Sequence, residues 1–577
     1  MTRSTARQGS DPRPDVRRAA SAIVEALEDA GIDRVFGIPG GAISPLNDAL
    51  LDSALEHVTC QHETMAVHMA AGYARATGRP GVVMVTSGPG TLNALTGVAA
   101  AYLDEAPVLL LAGDVASTSA GRGALQDGGA DGLAVANIFA SVTKMIASLE
   151  QPLRAGAITR RALHRAMLRP RGPVLLRVPV DIAQLAAPSS ELGEALSSNA
   201  RASEETLRRA AHALSTARRP LLLLGVGARE AGAREAVLDL AELHRIPVAS
   251  DLEAKGVMPE SHPLWLGIIG VGSYGGARAY LDNVDALLTV GCRLDDTLTG
   301  GYSPSFRPRN GTLIQIDHAP LRMGRAFEPD LPLCGDIEDT LKRLFGIMHS
   351  PSAELVVARD GGIRAAQRDM SSPTNAHMEK IPFAPHAVIS ALQRYFPDDT
   401  VYTTDVGNHL LFSVQHLRIA HDDAFYAPYG LGAMTSGIGV AMGLALGHAS
   451  RGRRVVAICG DGGMLMGGNE IATCALRGVP VTLVVFNDGQ LGMVQHGNER
   501  VFGRSLDLRT PPVDLCGYAE ALGARVRRVR CEDDIAWAAS ATLDGPLLLD
   551  IPIDPAARAS NPRESAVSFP ADQRQAS

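Results

Sequence analysis

Short, almost uniformly apolar runs recur along this chain, and they restrict its possible folds more than any other feature. Alanine-rich stretches of helical composition separate these runs. Strands that are apolar on both faces must be covered by helices on both sides, as in the parallel sheets of α/β proteins. We therefore predict an α/β fold built from doubly wound parallel sheets. The runs include GVVMVTS, PVLLLAG, RPLLLLGVG, DALLTVG, RVVAICG and PVTLVVFN.

A chain of 577 residues is too long for one hydrophobic core. Two polar segments, near 187–203 and near 361–376, have the composition of linkers. They divide the chain into three parts that each alternate strand-like and helix-like segments. We predict three doubly wound parallel-sheet domains, at residues 12–188, 203–352 and 376–556.

The first and third parts also resemble each other. The distance from Val82 to Pro107 equals that from Val455 to Pro480, 25 residues in each case, and both pairs bracket a strand, a helical stretch and the start of a second strand. Any two βαβ units look alike, so chance similarity is one explanation. A duplicated fold on either side of a middle domain is the other, and two such domains could share one ligand.

Charge and composition exclude several classes of partner. The net charge of −8 provides no basic excess for nucleic acid. No stretch approaches the ~20 apolar residues that a spanning helix needs. Seven scattered cysteines without a CxxC pair suit a reducing compartment, and the first residues lack the apolar segment of a signal peptide, so we expect a cytoplasmic protein. We expect disorder before the first domain and after about Asp554.

The stretch AICGDGGMLMGGNE, from Ala457 to Glu470, looks like a strand that leads into a phosphate-binding loop. Leu465 stands where the dinucleotide fingerprint GxGxxG requires its third glycine, and no lysine completes a P-loop. Asp461, an acid, lies where a phosphate would repel it. A structural turn in which Asp461 caps the next helix is one explanation.

A second acid-and-amide cluster, NDGQLGM at 487–493, follows the next apolar run. The carboxyl ends of neighbouring parallel strands meet at one edge of a sheet, so we expect this cluster to lie beside Asp461. Two oxygen-bearing side chains next to a phosphate loop suit a Mg²⁺ ion that bridges the protein to a diphosphate. Asp461 would then bind the cation, and the cation would bind the phosphates.

At this point the sequence resembles the thiamine diphosphate (ThDP) enzymes, and it is most similar to their acetolactate synthase branch, large or catalytic subunit type. The GDG stretch followed by an Asn-containing turn is the cofactor motif of these enzymes. The resemblance extends over nearly all of residues 15–555 and implies pyrimidine-binding, middle and diphosphate-binding domains in that order. Its further motifs are VFGIPGGAISPLNDAL, the segment from QHETMAVHM to LLLAGDV, SVTK, GPVLLRVPVD, TDVGNH and GLGAM.

The resemblance also implies a set of cofactor residues. The metal ligands would be Asp461, Asp488 and the backbone carbonyl of Gln490. Asp488 departs from the family's usual Asn, and Asn487 is the alternative in register. Met434 would bend the cofactor, and the Gly432 carbonyl would bind its amino group. The other implied contacts are Val406, Gly407, Asn408, His409, Gly460, Gly462, Gly463, Gly492 and Met493.

Glu63 is the implied catalytic residue, with Gln126 as a second. A carboxylate at a helix N-terminus is common for structural reasons alone. In the family, the corresponding glutamate hydrogen-bonds a nitrogen of the aminopyrimidine ring. The cofactor carries the difficult chemistry, so the protein needs only this acid and correct orientation. A homodimer or homotetramer, with the active site at the subunit interface, is also implied.

Departures from the family cluster on the substrate side. Thr297 stands where an arginine would bind the acceptor's carboxylate, and Gly497 stands where a tryptophan would narrow the pocket. The FQE loop reads Leu125–Gln126–Asp127, while Lys144 is kept. We expect decarboxylation of a 2-oxo acid, pyruvate first, and transfer to an altered, bulkier acceptor. The alternatives are a simple 2-oxo acid decarboxylase, a flavin-linked oxidase and a non-catalytic ThDP-binding protein.

FAD is a separate expectation. Four residues of the middle domain resemble the family's FAD contacts, but the GMHG turn of the family reads GVGS at 270–273. The resemblance therefore implies FAD without a redox role, and the changed turn argues against it. The four residues are Arg293, Asp295, Asp317 and Asp336.

Overall fold

The computed structural model describes residues 17–187, 201–230, 232–368, 376–421, 423–542 and 544–559. The chain divides into two compact units, Met1–Leu196 and Ser197–Ser577. The expected disorder of the first residues lies outside the described residues. So do most of the predicted linker near 187–203 and the C-terminal tail beyond residue 559.

The first unit is one parallel sheet of six strands in the order β2-β1-β3-β4-β6-β5. Strands β3 and β4 lie inside this order, and every residue of both is buried, as their uniformly apolar runs predict. The strands are β1 Arg34–Ile38, β2 Glu56–Thr59, β3 Gly81–Val85, β4 Val108–Asp114, β5 Ile146–Ser148 and β6 Val174–Pro179.

Helices surround this sheet, and α1 packs against α7 while α3 packs against α5. The first unit has its own hydrophobic core, which includes Ile23, Leu109 and Leu176. The helices are α1 Ala19–Asp29, α2 Ser44–Leu50, α3 Glu63–Thr77, α4 Pro89–Asn93, α5 Leu95–Leu103, α6 Val135–Phe139, α7 Ala155–Met167 and α8 Val180–Gln184.

The second unit contains two more parallel six-stranded sheets. The middle sheet has the order β12-β11-β10-β7-β8-β9. Its strands are β7 Pro220–Leu224, β8 Val248–Ser250, β9 Trp265–Ile268, β10 Ala286–Val290, β11 Thr312–Asp317 and β12 Leu331–Cys334. Its helices are α9 Glu204–Thr216, α10 Val226–Glu230, α11 Arg234–His244, α12 Ala277–Leu281, α13 Asp296–Thr299, α14 Ile337–Ile347 and α15 Ala353–Gln367.

The third sheet has the order β14-β13-β15-β16-β18-β17. One hydrophobic core cluster includes residues of both the middle and the third sheet. The strands of the third sheet are β13 Val401–Thr404, β14 Phe425–Tyr426, β15 Val455–Gly460, β16 Val481–Asn487, β17 Arg525–Arg528 and β18 Leu547–Pro552. Its helices are α16 Pro385–Tyr395, α17 Asn408–His416, α18 Ser436–His448, α19 Asp461–Gly467, α20 Ile471–Arg477, α21 Gly492–Phe502, α22 Leu515–Ala521 and α23 Glu532–Ser540.

Together these sheets confirm the predicted α/β fold of three parallel-sheet domains. The first and third sheets also share one strand order: counted from its own first strand, each reads 2-1-3-4-6-5. The two segments that are similar in sequence occupy corresponding places, since β3 and β4 pair in one sheet as β15 and β16 do in the other. The duplicated-fold explanation therefore agrees with the topology.

The predicted linker near 361–376 is wrong in its first part, because α15 continues to Gln367. Arg359, a residue of α15, is completely buried and donates to backbone carbonyls at the ends of α9 and α11. A buried cation that satisfies the carbonyls at two helix ends holds α15 against the middle domain. Composition alone could not reveal this contact.

Within the described residues, no helix is long and apolar enough to cross a membrane.

We predict that Arg359→Ala destabilises the second unit. The substitution leaves buried carbonyls of Leu214, Ala217 and His244 without their donor, at a cost of about 2–4 kcal/mol. The melting temperature should fall by about 5–10 °C in differential scanning calorimetry. Arg364→Ala, an exposed position on the same helix, should change it by about 1 °C or less. Equal shifts for the two variants would contradict this role of Arg359.

Candidate active site

The carboxyl ends of β13, β15 and β16 form one edge of the third sheet, because these neighbouring strands are parallel. Asp405 follows β13, Asp461 follows β15 and Asp488 follows β16. Strand β13 is paired on one side with the next strand, β14, and on the other with β15. The chain thus changes direction across the sheet between β13 and β15, which is where open α/β sheets bind ligands.

A cavity of about 250 Å³ lies at this edge. It is lined by all fourteen residues of the third domain that the sequence resemblance implied as cofactor contacts. These residues come from several separate chain segments, so their convergence is a property of the fold and not of sequence proximity. They are Val406, Gly407, Asn408, His409, Gly432, Met434, Gly460, Asp461, Gly462, Gly463, Asp488, Gln490, Gly492 and Met493.

Two carboxyl groups meet in this cavity. The carboxyls of Asp461 and Asp488 lie close enough for each to shift the pKa of the other. Burial raises the pKa of Asp461, although Thr510 donates its hydroxyl to that carboxylate. Burial and the neighbouring charge of Asp461 raise the pKa of Asp488 to about 7, against the backbone N–H of Gln490, which lowers it. Such a pair is costly unless a proton or a cation lies between the two groups.

The structure also separates the two register alternatives. The Asn487 amide donates to Asp550 Oδ1 on β18 at 2.9 Å. Asp488 instead lines the cavity and contacts Asp461. Of the two, Asp488 therefore has the geometry expected of a metal ligand, although its role stays a prediction.

Asp405 is a site residue that the sequence reasoning missed. Its buried carboxylate accepts the backbone N–H groups of Thr435 at 2.9 Å and Gly437 at 3.1 Å, at the start of α18. Thr435 has a left-handed backbone, with φ of +78°, and this contact fixes the turn that carries Met434. Burial raises the pKa of Asp405 to about 6, while these N–H groups lower it. The motif TDVGNH contains the only signal, an acid directly after a strand.

The cavity fits a ligand with anionic oxygens and a cation. His409 Nε2 is buried without a hydrogen-bond partner among the described residues, and burial lowers the pKa of this histidine to about 4, so the ring is neutral. A side chain at Gly492 would place its Cβ 2.5 Å from Asp488 Oδ2. A diphosphate with Mg²⁺ would supply a positive charge for the two carboxyls. The ring hydrogen of His409 is donated to the Asp405 backbone, so Nε2 is an acceptor.

Glu63 lies in the first unit, at the start of α3. His62 caps this helix through its Nδ1, which accepts the Thr64 N–H at 3.1 Å. Glu63 is 6% exposed, and its Oε2 accepts the side-chain amide of Asn93 at 3.1 Å. Its Oε1 would lie 3.3 Å from a Cβ at Gly90. Asn93, which sequence reasoning also missed, therefore fixes one oxygen of the predicted catalytic acid.

Gln126 also lies in the first unit, in a left-handed backbone conformation with φ of +65°. Its Oε1 accepts the Ser87 hydroxyl at 3.0 Å, and its side chain packs over Gly88. Asp127 supports the loop by accepting the N–H groups of Gly121 at 2.7 Å and Gly129 at 2.8 Å. Leu125 is 86% exposed and points away from the first unit.

Lys144 is engaged with the protein itself. Its Nζ donates to the carbonyl of Arg165, at 2.9 Å, and to that of Leu168, at the carboxyl end of α7. Burial lowers the pKa of Lys144 to about 8, and the nearby charge of Arg165 adds to this effect. A role in capping the end of α7 is therefore what the contacts show, and its expected contact with substrate stays a prediction.

Thr297 and Gly497, the two positions predicted to be altered on the acceptor side, lie in the second unit. Thr297 Oγ1 donates to Asp295 Oδ1 at 2.5 Å, in a small cavity of about 50 Å³. Gly497 lies on α21, and a Cβ built there meets no heavy atom within 4 Å. The structure therefore leaves open space around residue 497, where the sequence has a glycine.

The residues implied for FAD lie at or directly after the carboxyl ends of β10, β11 and β12, and each of them bonds to other residues of the chain. Arg293 pairs with Glu253 at 3.1 Å. Asp295, Asp317 and Asp336 accept backbone N–H groups at helix starts or turns. The 50 Å³ cavity beside Arg293 is far smaller than a typical small-molecule site of ~300–1,000 Å³. The residues present here do not fit a flavin.

Comparisons with known proteins give one family for all three domains. Residues 17–135 match "Thiamine pyrophosphate enzyme, N-terminal TPP binding domain". Residues 207–344 match the central domain of the same enzymes, and residues 405–551 match their C-terminal TPP binding domain. Thiamine pyrophosphate is another name for thiamine diphosphate.

Individual relatives agree with this. The chain is 32% identical to a protein named "Probable acetolactate synthase large subunit" from Methanocaldococcus jannaschii, over 93% of this chain and 92% of the relative. It is 32% identical to the acetolactate synthase isozyme 2 large subunit of Escherichia coli, over 92% and 95%. The crystal structure of benzoylformate decarboxylase from Polynucleobacter necessarius has the same fold, with a TM-score of 0.84, 22% identity, and coverage of 94% of this chain and 100% of that chain.

We predict that Asp488→Asn stabilises the ligand-free protein at pH 8. The folded protein holds a proton on Asp488 up to about pH 7, whereas an unfolded aspartate loses it near pH ~4. This group's contribution to stability is therefore present at pH 4 and is lost as the pH rises to 7. The variant lacks that loss, so its melting temperature should exceed that of the unsubstituted protein by about 2–4 °C at pH 8 and by little at pH 5.

The matched control is Asp399→Asn, which removes an exposed carboxylate from the same domain. It should show no such difference between the two pH values. Equal melting temperatures of Asp488→Asn and the unsubstituted protein at pH 8 would show that the two acids do not destabilise one another.

Proposed function

The chain belongs to the thiamine pyrophosphate enzymes, and from this premise we propose that it is a ThDP- and Mg²⁺-dependent carboligase. It would decarboxylate a 2-oxo acid donor, with pyruvate as the first candidate, and transfer the acyl unit to an acceptor. The observation that carries this proposal is the convergence of the implied cofactor residues around one 250 Å³ cavity, with the Asp461–Asp488 pair at its edge.

In the proposed site, each end of the cofactor has its own residues. When bound, ThDP supplies the carbanion and the electron sink for decarboxylation. Asp461, Asp488 and the Gln490 backbone carbonyl would hold Mg²⁺, which neutralises the diphosphate. The backbone N–H groups of Gly462, Gly463 and His409 would donate to phosphate oxygens.

Glu63 would act on the aminopyrimidine ring. Because Oε2 accepts the Asn93 amide, Oε1 is the atom we assign to the ring nitrogen. A buried carboxyl in this position donates or accepts one proton at a defined point and excludes water from it. Gln126, held by Ser87, would orient the donor substrate. A pure binding protein has no need of this acid, which favours an enzyme over the non-catalytic alternative.

The acceptor is the finer part of the proposal. Thr297 provides a hydroxyl where an arginine would bind a carboxylate, and Gly497 leaves open space where a tryptophan would stand. An acceptor that is bulkier and carries no carboxylate, such as an aldehyde or a ketone, suits both changes. The competing function is a simple decarboxylase, in which protonation replaces transfer, and it predicts release of an aldehyde at a rate independent of added acceptor.

Three further features belong to the proposal. We place the protein in the cytoplasm, and we expect a homodimer or homotetramer whose subunits share the active sites. Its curated relatives are named large subunits, so a second, smaller subunit is a partner to look for. FAD is left out, because Arg293 and the three aspartates are bonded within the chain. The visible absorbance of a bound flavin in the purified protein would contradict this.

Glu63→Gln should abolish turnover and leave cofactor binding intact. The amide keeps the size of the side chain but removes the proton exchange at Oε1, so CO₂ release from pyruvate with ThDP and Mg²⁺ should fall by at least ~10²-fold. Calorimetric titration should give a ThDP affinity within about threefold of the unsubstituted protein. Glu150→Gln, at an exposed position in the same unit, is the control. Unchanged CO₂ release in Glu63→Gln would remove Glu63 from the mechanism.

Gly497→Trp should narrow the acceptor range. A competition between pyruvate and larger aldehydes, with products identified by mass spectrometry, should shift by about tenfold toward the smaller acceptor. Gly361→Trp introduces the same bulk at another open position, on α15, and should leave the ratio unchanged. If the unsubstituted protein already makes acetolactate from two pyruvates far faster than any other product, the argument from Thr297 and Gly497 is wrong.

A further inference from the structure

His496 is a buried histidine beside the cofactor cavity that none of the proposed steps uses. It lies on α21, directly before the open position Gly497, and is 8% exposed. Its Nδ1 is 3.2 Å from the side-chain nitrogen of Asn408, and its Nε2 is 2.9 Å from the carbonyl oxygen of Pro555. The imidazole therefore bridges α17 and the chain that follows β18.

The Pro555 carbonyl fixes the place of one hydrogen on this ring. A carbonyl oxygen only accepts, so Nε2 must carry the hydrogen that it donates to Pro555. In the neutral ring, Nδ1 is then an acceptor, and the group facing it must be the NH₂ of Asn408. The Asn408 amide is thereby fixed in one of its two orientations. In the other, its oxygen would face the lone pair of His496 Nδ1 and the two acceptors would repel each other.

Three further observations tie this bridge to the site. Gln490 donates its side-chain amide to the same Pro555 carbonyl, at 2.9 Å. A Cβ at Gly492 would lie 2.9 Å from Asn408 Nδ2, so the glycine leaves room for the amide. Arg558 pairs with Glu499 on α21 at 2.8 Å, which ties the same chain segment to the helix again. One carbonyl thus anchors both the predicted metal turn and, through His496, Asn408.

We propose that His496 is a positioning residue of the cofactor site, which acts by presetting the amide of Asn408. This inference rests on the proposed function, because Asn408 matters only if the cavity binds a diphosphate. A preset amide binds its ligand without losing side-chain freedom at that moment. Without His496, Asn408 samples other rotamers and both amide orientations, and the cofactor binds more weakly although no contact to it has been removed.

The test is the ThDP affinity of the purified full chain with Mg²⁺, measured by isothermal titration calorimetry. His496→Phe keeps a ring of similar size and loses both hydrogen bonds, so Kd should rise about tenfold. His496→Gln has one acceptor and one donor, about as far apart as the two ring nitrogens, and should recover most of the affinity. Gln495→Ala, which breaks only a contact to Glu499 on the same helix, should leave Kd within twofold.

A double-mutant cycle identifies the route of the effect. In an Asn408→Ala background, His496→Phe should change Kd by less than about twofold, because its target is gone. The same tenfold loss in both backgrounds would overturn the inference, as would a His496→Phe protein with a lower melting temperature and an unchanged Kd. If the unsubstituted chain binds no ThDP, the proposed function fails and this inference fails with it. If the unsubstituted chain binds ThDP and His496→Phe binds it with the same Kd, this inference is wrong and the proposed function is unaffected.

Discussion

The common direction of neighbouring strands is the constraint on which the site depends. Because β13, β15 and β16 are parallel and adjacent, whatever follows each of them must lie at one edge of the sheet. Residues separated by more than eighty positions in the chain, such as Asp405 and Asp488, therefore converge without any need for local sequence contact. The first sheet repeats this strand order, and its predicted catalytic acid, Glu63, likewise lies in the segment directly after a strand.

The electrostatics of the site follow from where each buried carboxylate finds its hydrogen-bond donors. Asp405 accepts two backbone N–H groups at the start of α18, and Asp127 accepts two in its own loop. Both acids position backbone, although burial still raises the pKa of Asp405 to about 6. Asp461 and Asp488 instead lie beside each other, and burial together with the charge of Asp461 raises the pKa of Asp488 to about 7. A structure that keeps two acids in contact at a cavity has an arrangement suited to a divalent cation.

Much of this could be predicted from the sequence, for physical reasons. Uniformly apolar runs predict buried parallel strands, and the fold follows from their number and spacing. The cofactor residues were implied by the resemblance to a family, and those of the third domain line one cavity in the structure, while their roles stay predictions. The residues that were missed, Asp405, Asn93 and His496, act on other residues, and their partners are distant in sequence. Helix α15 was missed at its end because a buried Arg359 contact leaves no trace in local composition.

The acceptor side shows how one scaffold could change its selectivity. Arg293 is paired with Glu253, and the Thr297 hydroxyl is bonded to Asp295, so the charges and hydroxyl in this region already have partners in the protein. The difference at Gly497 is one of space, since a side chain there would meet nothing within 4 Å. When a pocket selects an acceptor by shape, one methylene group changes the preference between two substrates by only ~10–200-fold. A site built around a polar contact discriminates more sharply against a substrate that lacks its partner group. An enzyme that selects in this way would accept a range of acceptors and would depend on the neighbouring His496–Asn408 contact to keep the cofactor itself fixed.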